Sequence, residues 1–497
     1  MSGSRNSEAP SQLDDERLLS FNVRISEPLI CRVRGFVLRS RESGKASRGL
    51  KLCYNQKNRS TRSSPKDAIM IKEHVMTIDE RIQNTNVNQP PRFLYALLMK
   101  VTAVLNRLNN THFTYKARPA EEPGSIVMIA NHASRVDYQF TAPPCYPKRL
   151  NYVVGYNEFF RFPTNLLLPN VQAIPKKNFT PDRHAIRQIL RVIHQGGNIC
   201  LMPEGMSSIT GMAQPIIPGG AKLLKKLGVP VYYSKISGGY LNYTKHCLDQ
   251  RKGRIDVVVD RMFTAEQLRE LSVEEIEDTM NRLLAHDDYI WNKKAHVRFQ
   301  GKGQMAKKLD TLLYLCPKCG ALYEMDCQGD AMTCRHCGNQ VELDEYYQLH
   351  AVGDSVCPEF VTDWTILERE RAAAEVRKPD FCHQGHVRVG VLPKKKALTG
   401  DQTSLIRGEG QLKLDAAGLH FDGILEDAPF SFTIPSAQLP TYGMCTDISR
   451  FYTFVDGRFL EFYPDAGDVL LWDHLTEELH RYQGGKWQNT AYRHRED

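Results

Sequence analysis

The middle of the chain alternates short apolar runs with longer segments of helical periodicity. Short apolar runs bounded by turn residues are typical of buried strands, whereas apolar positions three or four residues apart are typical of amphipathic helices. Strands alternating with helices predict an α/β domain with a largely parallel sheet flanked by helices. The predicted strands cover residues 125–130, 152–155, 198–202, 229–236 and 255–259.

Two of the predicted helices carry start signals. Thr180 is a suitable N-cap with Pro181 at the first helical position, and Ser272 with Glu275 forms a capping box. We therefore expect one helix to begin just after Thr180 and another just after Ser272.

Ahead of this region, residues 92–108 have the pattern of an amphipathic helix. Lys100 and Arg107 are expected on the polar face. With a lysine in its middle the segment is too short and too charged to span a bilayer, which takes about 20 apolar residues. It could pack on its own domain or lie in a membrane interface, and no other segment approaches transmembrane length, so the protein is expected to be peripheral at most. The predicted apolar face comprises Phe93, Leu97, Val101, Val104, Leu105 and Leu108.

Four regions are predicted along the chain. Residues 1–89 form a partly disordered N-terminal region with some strands, and residues 90–295 form the α/β domain, which begins with the amphipathic helix. A metal-binding ribbon covers 310–345, and a β-rich domain with a terminal helix covers 380–485. Several antiparallel strands capped by a helix resemble the pleckstrin-homology-type fold, which could dock lipid or protein.

Charge and cysteine content narrow the function and the compartment. A formal charge of +8 over 497 residues is compatible with an anionic membrane surface or a phosphorylated substrate. It falls short of the concentrated basicity of a nucleic-acid binder, so no nucleic-acid partner is expected. Thirteen cysteines, four of them at metal-ligand spacing, and no charged-then-apolar leader at the start predict a reducing, cytoplasmic compartment.

Two Cys-x-x-Cys pairs give the most specific local signal in the chain. Cys316 with Cys319 and Cys334 with Cys337 are each followed at once by glycine, which suits the tight turn that wraps a metal. We expect a structural Zn²⁺ held by four thiolates, which leaves no coordination position for a substrate. Iron in a rubredoxin-like site or a redox pair are the alternatives.

The strand at 125–130 delivers a histidine to the edge of the sheet where α/β proteins bind their ligands. His132 would lie on the loop after the strand, and Asp137 would lie one turn into the following helix. In that geometry the carboxylate holds one imidazole nitrogen and the other nitrogen can take a proton from a hydroxyl. The hydroxyl would be the substrate's own. The alternative is a buried histidine bonded to a nearby carboxylate.

The surrounding residues resemble a known family. NHASRVD at 131–137 resembles the NHxSxxD motif of the glycerolipid acyltransferases, which include the lysophosphatidic acid and glycerol-3-phosphate acyltransferases. MPEGMSSITG at 202–211 resembles that family's FPEGTRSxxG motif. Two matches in the right order, each at the end of a predicted strand, are more specific than either alone. The resemblance covers roughly residues 92–285.

The resemblance implies roles for the residues of both motifs. His132 would be the general base and Asp137 its orienting acid, and Glu204 would help to position the acceptor. Gly205 would let a backbone N–H approach the oxyanion closely. Asn131 and Ser134, the uncharged polar residues of the first motif, are expected at the substrate.

The predicted acceptor site departs from the family pattern. The family arginine that would grip a phosphate is missing, and Met206, Ser207 and Ser208 occupy that part of the loop. A phosphate could instead be bound by Lys176 or Lys177, which stand where the family has another arginine, together with Ser207 and Ser208. Arg135 could face the phosphate groups of the acyl donor or the solvent.

The sequence therefore predicts an O-acyltransferase. It would move a fatty acyl group from acyl-CoA or acyl carrier protein to the hydroxyl of a glycerolipid-type acceptor at a membrane surface. The alternative is a catalytically degenerate acyltransferase-like scaffold that binds lipid or protein, for which the missing arginine is the main indication.

Overall fold

The computed structural model describes residues 76–485. The strands and the disorder predicted before residue 76 lie outside the described residues. The first half of the described chain contains helices α1 Ile78–Asn84, α2 Arg92–Leu108, α3 Tyr138–Thr141, α4 Thr164–Asn170, α5 Arg183–His194, α6 Gly220–Leu227, α7 Gly239–Asn242, α8 Ala265–Glu270, α9 Val273–Leu284 and α10 Asp288–Ala295, and strands β1 Thr111–Tyr115, β2 Val127–Ala130, β3 Leu150–Gly155, β4 Ile174–Lys176, β5 Asn198–Leu201, β6 Val231–Ser237 and β7 Ile255–Phe263.

These seven strands form one sheet in the order β1-β7-β6-β2-β5-β3-β4. The pairs β1–β7, β2–β6, β2–β5, β3–β5 and β3–β4 are parallel, and only β6–β7 is antiparallel. Helices pack on both faces, so the predicted α/β architecture is confirmed. Strand β2 lies at the centre of the sheet and is completely buried, which explains why its sequence is apolar without alternation.

The two predicted helix starts differ in outcome. The capping box of Ser272 and Glu275 is present at the start of α9. The start predicted at Thr180 is wrong, because α5 begins at Arg183 and the carboxylate of Asp182 accepts the N–H of Ala185 at 2.9 Å. An aspartate two residues further on provides the cap instead.

Helix α2 turns its apolar face away from the protein. Phe93 is 85% exposed, Leu97 is 49% exposed, and Val104 and Leu108 are each 59% exposed. The usual orientation of a surface helix, with the apolar stripe on the core, is therefore reversed.

The buried face of α2 is polar and hydrogen bonded. The Asn106 side chain donates to the Gln139 carbonyl at 2.8 Å, and the Tyr95 hydroxyl accepts the Leu150 N–H at 3.3 Å. Buried polar groups need such partners, and here they fix which side of the helix faces inward.

The two basic residues of α2 accompany its exposed stripe. Lys100 and Arg107 were predicted on the opposite face, and both are exposed. A spacing of seven residues is close to two helical turns, so Phe93, Lys100 and Arg107 share one side of the helix. The prediction that they lie opposite the apolar stripe is wrong.

The second half of the described chain forms two further sheets. Strands β8 Met325–Gln328, β9 Ala331–Cys334, β10 Gln340–Leu343 and β11 Leu349–Ala351 make an antiparallel four-stranded ribbon. A seven-stranded antiparallel sheet in the order β15-β14-β13-β12-β18-β17-β16 follows, accompanied by two helices. Its elements are α11 Val361–Glu375, β12 Cys382–Val391, β13 Leu405–Asp415, β14 Gly418–Leu425, β15 Ala428–Pro435, β16 Gly443–Met444, β17 Phe451–Val455, β18 Arg458–Pro464 and α12 Val469–Tyr482.

One cluster of buried apolar side chains joins these regions. It includes Tyr240 and Tyr289 from the α/β part, Cys316 and Tyr347 from the ribbon region, and Trp472 from α12. The core is therefore continuous from the α/β region through the ribbon to the C-terminal sheet. No helix among the described residues combines the length and apolarity needed to cross a bilayer.

Candidate active site and metal site

The sheet order brings the two motif loops together. Strands β2 and β5 are parallel neighbours, so the loops that follow them leave the same edge of the sheet. Asn131, the first residue after β2, is buried, and its side-chain amide bonds both backbone groups of Ile236 in β6, at 2.9 and 2.8 Å. It holds the end of β2 against β6, so the oxygen and the nitrogen of its side chain both have backbone partners.

His132 and Asp137 meet at the end of β2. The Nδ1 atom of His132 lies 2.8 Å from Oδ2 of Asp137. The aspartate side chain is 1% exposed and the histidine side chain is 24% exposed, and Nε2 of His132 has no hydrogen-bond partner among the described residues. A ring held at one nitrogen and open at the other can exchange a proton with a hydroxyl.

Ser134 supports the aspartate. Its backbone N–H donates to Asp137 Oδ1 at 2.9 Å, and its hydroxyl donates to the same oxygen at 2.8 Å. The serine is 1% exposed. Expected at the substrate, it instead contacts the carboxylate that orients His132.

Glu204 joins the two loops. One carboxylate oxygen accepts the backbone N–H of His132 at 2.7 Å, and the other accepts the N–H of Gln214 at 2.7 Å. Burial raises the pKa of Glu204 to about 8, and the two backbone N–H donors oppose this rise. Both carboxylate oxygens are therefore occupied by backbone N–H groups. One of these belongs to His132, so Glu204 holds the backbone that carries the imidazole.

Gly205 does not offer its N–H to a substrate. That N–H donates to the Met202 carbonyl at 3.2 Å, within the turn. The residue has φ +82°, and a Cβ atom there would lie 2.2 Å from a side-chain carbon of Ile217. The turn needs a glycine for conformation and for space, and the N–H of Gly205 itself is used within the turn.

The two serines of the second motif are also engaged. The Ser208 N–H donates to the His132 carbonyl at 2.7 Å, and its hydroxyl donates to the Met212 carbonyl and accepts the Gly211 N–H. The Lys245 ammonium donates to the carbonyl and the hydroxyl oxygens of Ser207, at 3.2 and 3.1 Å. Burial lowers the pKa of Lys245 to about 8.

The cations predicted for the acceptor are bonded elsewhere. The Lys176 ammonium donates to the carbonyls of Lys177 and Thr180. Lys177 donates to the Gly457 carbonyl of the C-terminal sheet at 2.8 Å. Burial lowers the pKa of Lys176. No hydrogen bond joins either lysine to Ser207 or Ser208 among the described residues.

Arg135 lies on the exposed side of the first motif. Its guanidinium donates to the Leu248 carbonyl at 2.9 Å and lies 5.4 Å from the centre of the Tyr243 ring. Arg135 is the basic residue of the predicted site that is closest in sequence to His132. Its guanidinium has further N–H donors besides the one bonded to Leu248.

A small cavity next to His132 is lined by two residues that no sequence motif singles out, His286 and Asp288. It measures about 10 Å³, and His132, Glu204, Tyr240, His286 and Asp288 are among the residues that line it. It is too small to hold more than a water-sized group. The residues at 286 and 288 form no recognisable motif, and only the fold brings them to the sheet edge.

Aromatic side chains connect this cavity to the ribbon region. The Tyr347 hydroxyl donates to the Leu241 carbonyl in α7 at 2.7 Å, and its ring centre lies 5.7 Å from that of Tyr289. The Tyr289 ring centre lies 6.2 Å from that of Tyr240, whose hydroxyl donates to the Ile209 carbonyl. The turn between β10 and β11 therefore supports the loop that carries the second motif.

The four predicted metal ligands lie together. Their sulfur atoms are all within 4.8 Å of one another, with 3.7 Å between Cys316 and Cys337 and 3.9 Å between Cys319 and Cys334. A tetrahedron of sulfurs at about 2.3 Å from a central zinc has edges of about 3.8 Å. The four thiols therefore fit a tetrahedral metal site.

The Glu204 bridge can be tested by replacing Glu204 with Gln. One of the two backbone N–H donors would then face an amide NH₂ group, so we expect the free energy of unfolding to fall by about 1–3 kcal/mol in urea titrations. Glu274→Gln, at an exposed position of α9, is the control and should change it by less than about 0.5 kcal/mol. Equal effects of the two substitutions would contradict the bridge.

Comparison with known proteins places the motif loops in an acyltransferase-like segment. Residues 112–234 match the family described as acyltransferase. No curated protein matches the sequence. A solved structure that matches is the 1-acyl-sn-glycerophosphate (LPA) acyltransferase PlsC from Thermotoga maritima, at 15% identity and a TM-score of 0.33, over 39% of this chain and 78% of that chain. The segment that contains His132 and Glu204 is thus similar to acyltransferases, and the ribbon and the C-terminal sheet lie outside the residues matched to the family.

Proposed function

We propose that this protein is an O-acyltransferase that moves a fatty acyl group from a thioester, acyl-CoA or acyl carrier protein, to the hydroxyl of a glycerolipid-type acceptor. The observation that carries the proposal is the 2.8 Å contact between His132 and Asp137 at the carboxyl end of β2, with Nε2 of the ring open. The match of residues 112–234 to the acyltransferase family supports it independently.

In the proposed reaction His132 is the general base. Its Nε2 takes the proton of the acceptor hydroxyl as the oxygen attacks the thioester carbonyl carbon, and the carbonyl electron pair moves to oxygen. Asp137 keeps the other nitrogen protonated and stabilises the imidazolium that forms. Glu204 acts as a positioning residue, because it holds the backbone of His132 rather than the acceptor.

The acceptor site is centred on the exposed side of His132. Lys176 and Ser208 are bonded to carbonyls of their own loops and Lys177 to the C-terminal sheet, so we look to another group for a phosphate on the acceptor. Arg135, which belongs to the first motif, is the residue we assign to this task, since one hydrogen bond to the Leu248 carbonyl holds its guanidinium and further donors remain. An acceptor such as lysophosphatidic acid would then bind with its phosphate towards Leu248 and Tyr243.

The outward stripe of α2 supports a membrane-bound enzyme. Four large apolar side chains on one exposed face, accompanied by Lys100 and Arg107, suit a helix that lies in the interface of an anionic bilayer. A lipid acceptor would reach the site from that surface. The peripheral membrane location and the cytoplasmic compartment are parts of the proposal.

We assign a structural Zn²⁺ to the four cysteines of the ribbon. Cys316, Cys319, Cys334 and Cys337 would complete its coordination shell, so the metal would hold the ribbon together and take no part in acyl transfer. Because Tyr347 of the ribbon region packs on α7 and Tyr289, we expect the metal to support the second motif loop as well.

The reaction can be tested with His132→Ala. Transfer from radiolabelled acyl-CoA to lysophosphatidic acid should fall by at least about 100-fold, because the general base is lost. Asp137→Asn should also lower the rate strongly by changing the ring tautomer. His112→Ala, at an exposed position of β1, is the control and should retain activity. A fully active His132→Ala protein would remove His132 from the mechanism, and wild-type protein that binds lipid without any turnover would favour the scaffold.

Membrane binding can be tested with Leu97→Glu and Val104→Glu. Sedimentation with vesicles of phosphatidylcholine and phosphatidylglycerol should show affinity reduced by about tenfold or more, because each change replaces an exposed apolar side chain that would enter the bilayer interface with an anionic one. Ile424→Glu changes an equally exposed apolar residue of β14 and should leave binding intact. Unchanged binding of the α2 variants would exclude α2 as the contact.

The metal can be tested by chelation. The purified protein should release about one zinc ion per chain, and its removal or Cys334→Ser should lower the melting temperature together with the acyltransferase rate. Cys382→Ser, at an exposed cysteine outside the cluster, should change neither. Iron in the released metal would contradict the zinc assignment, and activity unaffected by metal loss would contradict its support of the second motif loop.

A further inference from the structure

The cavity beside His132 contains a second histidine–carboxylate pair. The Nε2 atom of His286 lies 2.6 Å from Oδ1 of Asp288, and the two side chains are 9% and 1% exposed. Both residues line the same cavity as His132 and Glu204. They follow α9, beyond the residues that match the acyltransferase family, so the matched segment does not account for them.

Asp288 is fixed more firmly than a pairing with His286 alone would require. Its carboxylate also accepts the N–H groups of Gly238 and Tyr240, at 2.7 and 2.8 Å, at the start of α7. The His286 carbonyl accepts the Ala213 N–H at 2.7 Å, which ties this segment to the second motif loop. The ring of His286 is thus held through its side chain and its backbone.

The ring nitrogen that remains for chemistry is Nδ1. It has no hydrogen-bond partner among the described residues, because the Asp288 contact uses Nε2. Nδ1 of His286 is therefore the ring nitrogen left to hold or release a proton in the cavity that His132 also lines.

We propose that His286, oriented by Asp288, is the acid that protonates the departing sulfur in acyl transfer. The proposal rests on the proposed function. His132 takes the acceptor proton as the C–O bond forms. When the tetrahedral intermediate collapses, the oxyanion electron pair re-forms the carbonyl, the C–S bond breaks with its pair on sulfur, and sulfur receives the proton from Nδ1 of His286.

Each turnover leaves the total number of protons on the two histidines unchanged. His132 has gained one proton and His286 has lost one, so exchange with solvent restores both rings. An alkyl thiol has a pKa of about 8.5, and a bare thiolate beside a poorly hydrated cavity is costly, so a proton supplied at bond cleavage lowers the barrier. The role is distinct from that of His132, which acts on the acceptor oxygen.

The leaving group provides the test. The full chain is assayed with acyl-CoA and with the same acyl group on p-nitrothiophenol, an aryl thiol acidic enough to leave without a proton. For His286→Ala we expect kcat/KM to fall by about 100-fold with acyl-CoA and by less than about threefold with the aryl thioester. His286→Gln, which keeps most of the volume, should show the same selectivity.

The ratio of the two rates within one variant does not depend on the fraction of folded enzyme, so poor folding cannot imitate the result. His132→Ala should lose activity with both donors, since the base is needed for either. Equal losses with the two donors, or no loss, in the His286 variants would overturn the acid role. A wild-type protein inactive with both donors would instead count against the proposed function.

Discussion

The arrangement of the site depends on how the backbone of one residue is held. The N–H of His132 donates to Glu204 and its carbonyl accepts the N–H of Ser208, so both sides of the residue are bonded to the loop after β5. This is possible because β2 and β5 are adjacent and parallel, and their loops leave the same edge of the sheet. Separating the loops would leave one oxygen of the Glu204 carboxylate, the N–H and carbonyl of His132 and the N–H of Ser208 without partners, which is expensive away from water.

Most polar residues of the two motifs serve this arrangement. Asn131 fixes the end of β2 to β6, Ser134 fixes the orienting carboxylate, and Ser208 closes the second loop on itself. Few polar atoms are left to meet a substrate, chiefly Nε2 of His132. The polar residues of the two motifs therefore act mainly as support for the position of His132 and Asp137.

The parts of the chain outside residues 112–234 stabilise the loops of the site through packing. The turn between β10 and β11 supports α7 and Tyr289 through Tyr347, and the hairpin turn at Gly457 binds Lys177. The ribbon and the C-terminal sheet therefore stabilise the loops around the α/β sheet edge. Helix α2 contributes differently, because its polar face is used for packing and its apolar face is left for another surface.

The sequence by itself determined the α/β alternation, the capping box of α9, the four clustered cysteines and the spacing that lets His132 meet Asp137. These features depend on periodicity or on contacts between residues close in the chain. The tertiary structure decided the direction in which α2 faces, the carbonyl partners of Lys176 and Ser208, and the presence of His286 in the cavity that His132 lines. A pattern shows that a face is apolar but not what covers it, and His286 reaches the site only because the segment after α9 returns to pair with the second motif loop. Contacts between residues so far apart depend on how the chain crosses the sheet, which local patterning does not encode.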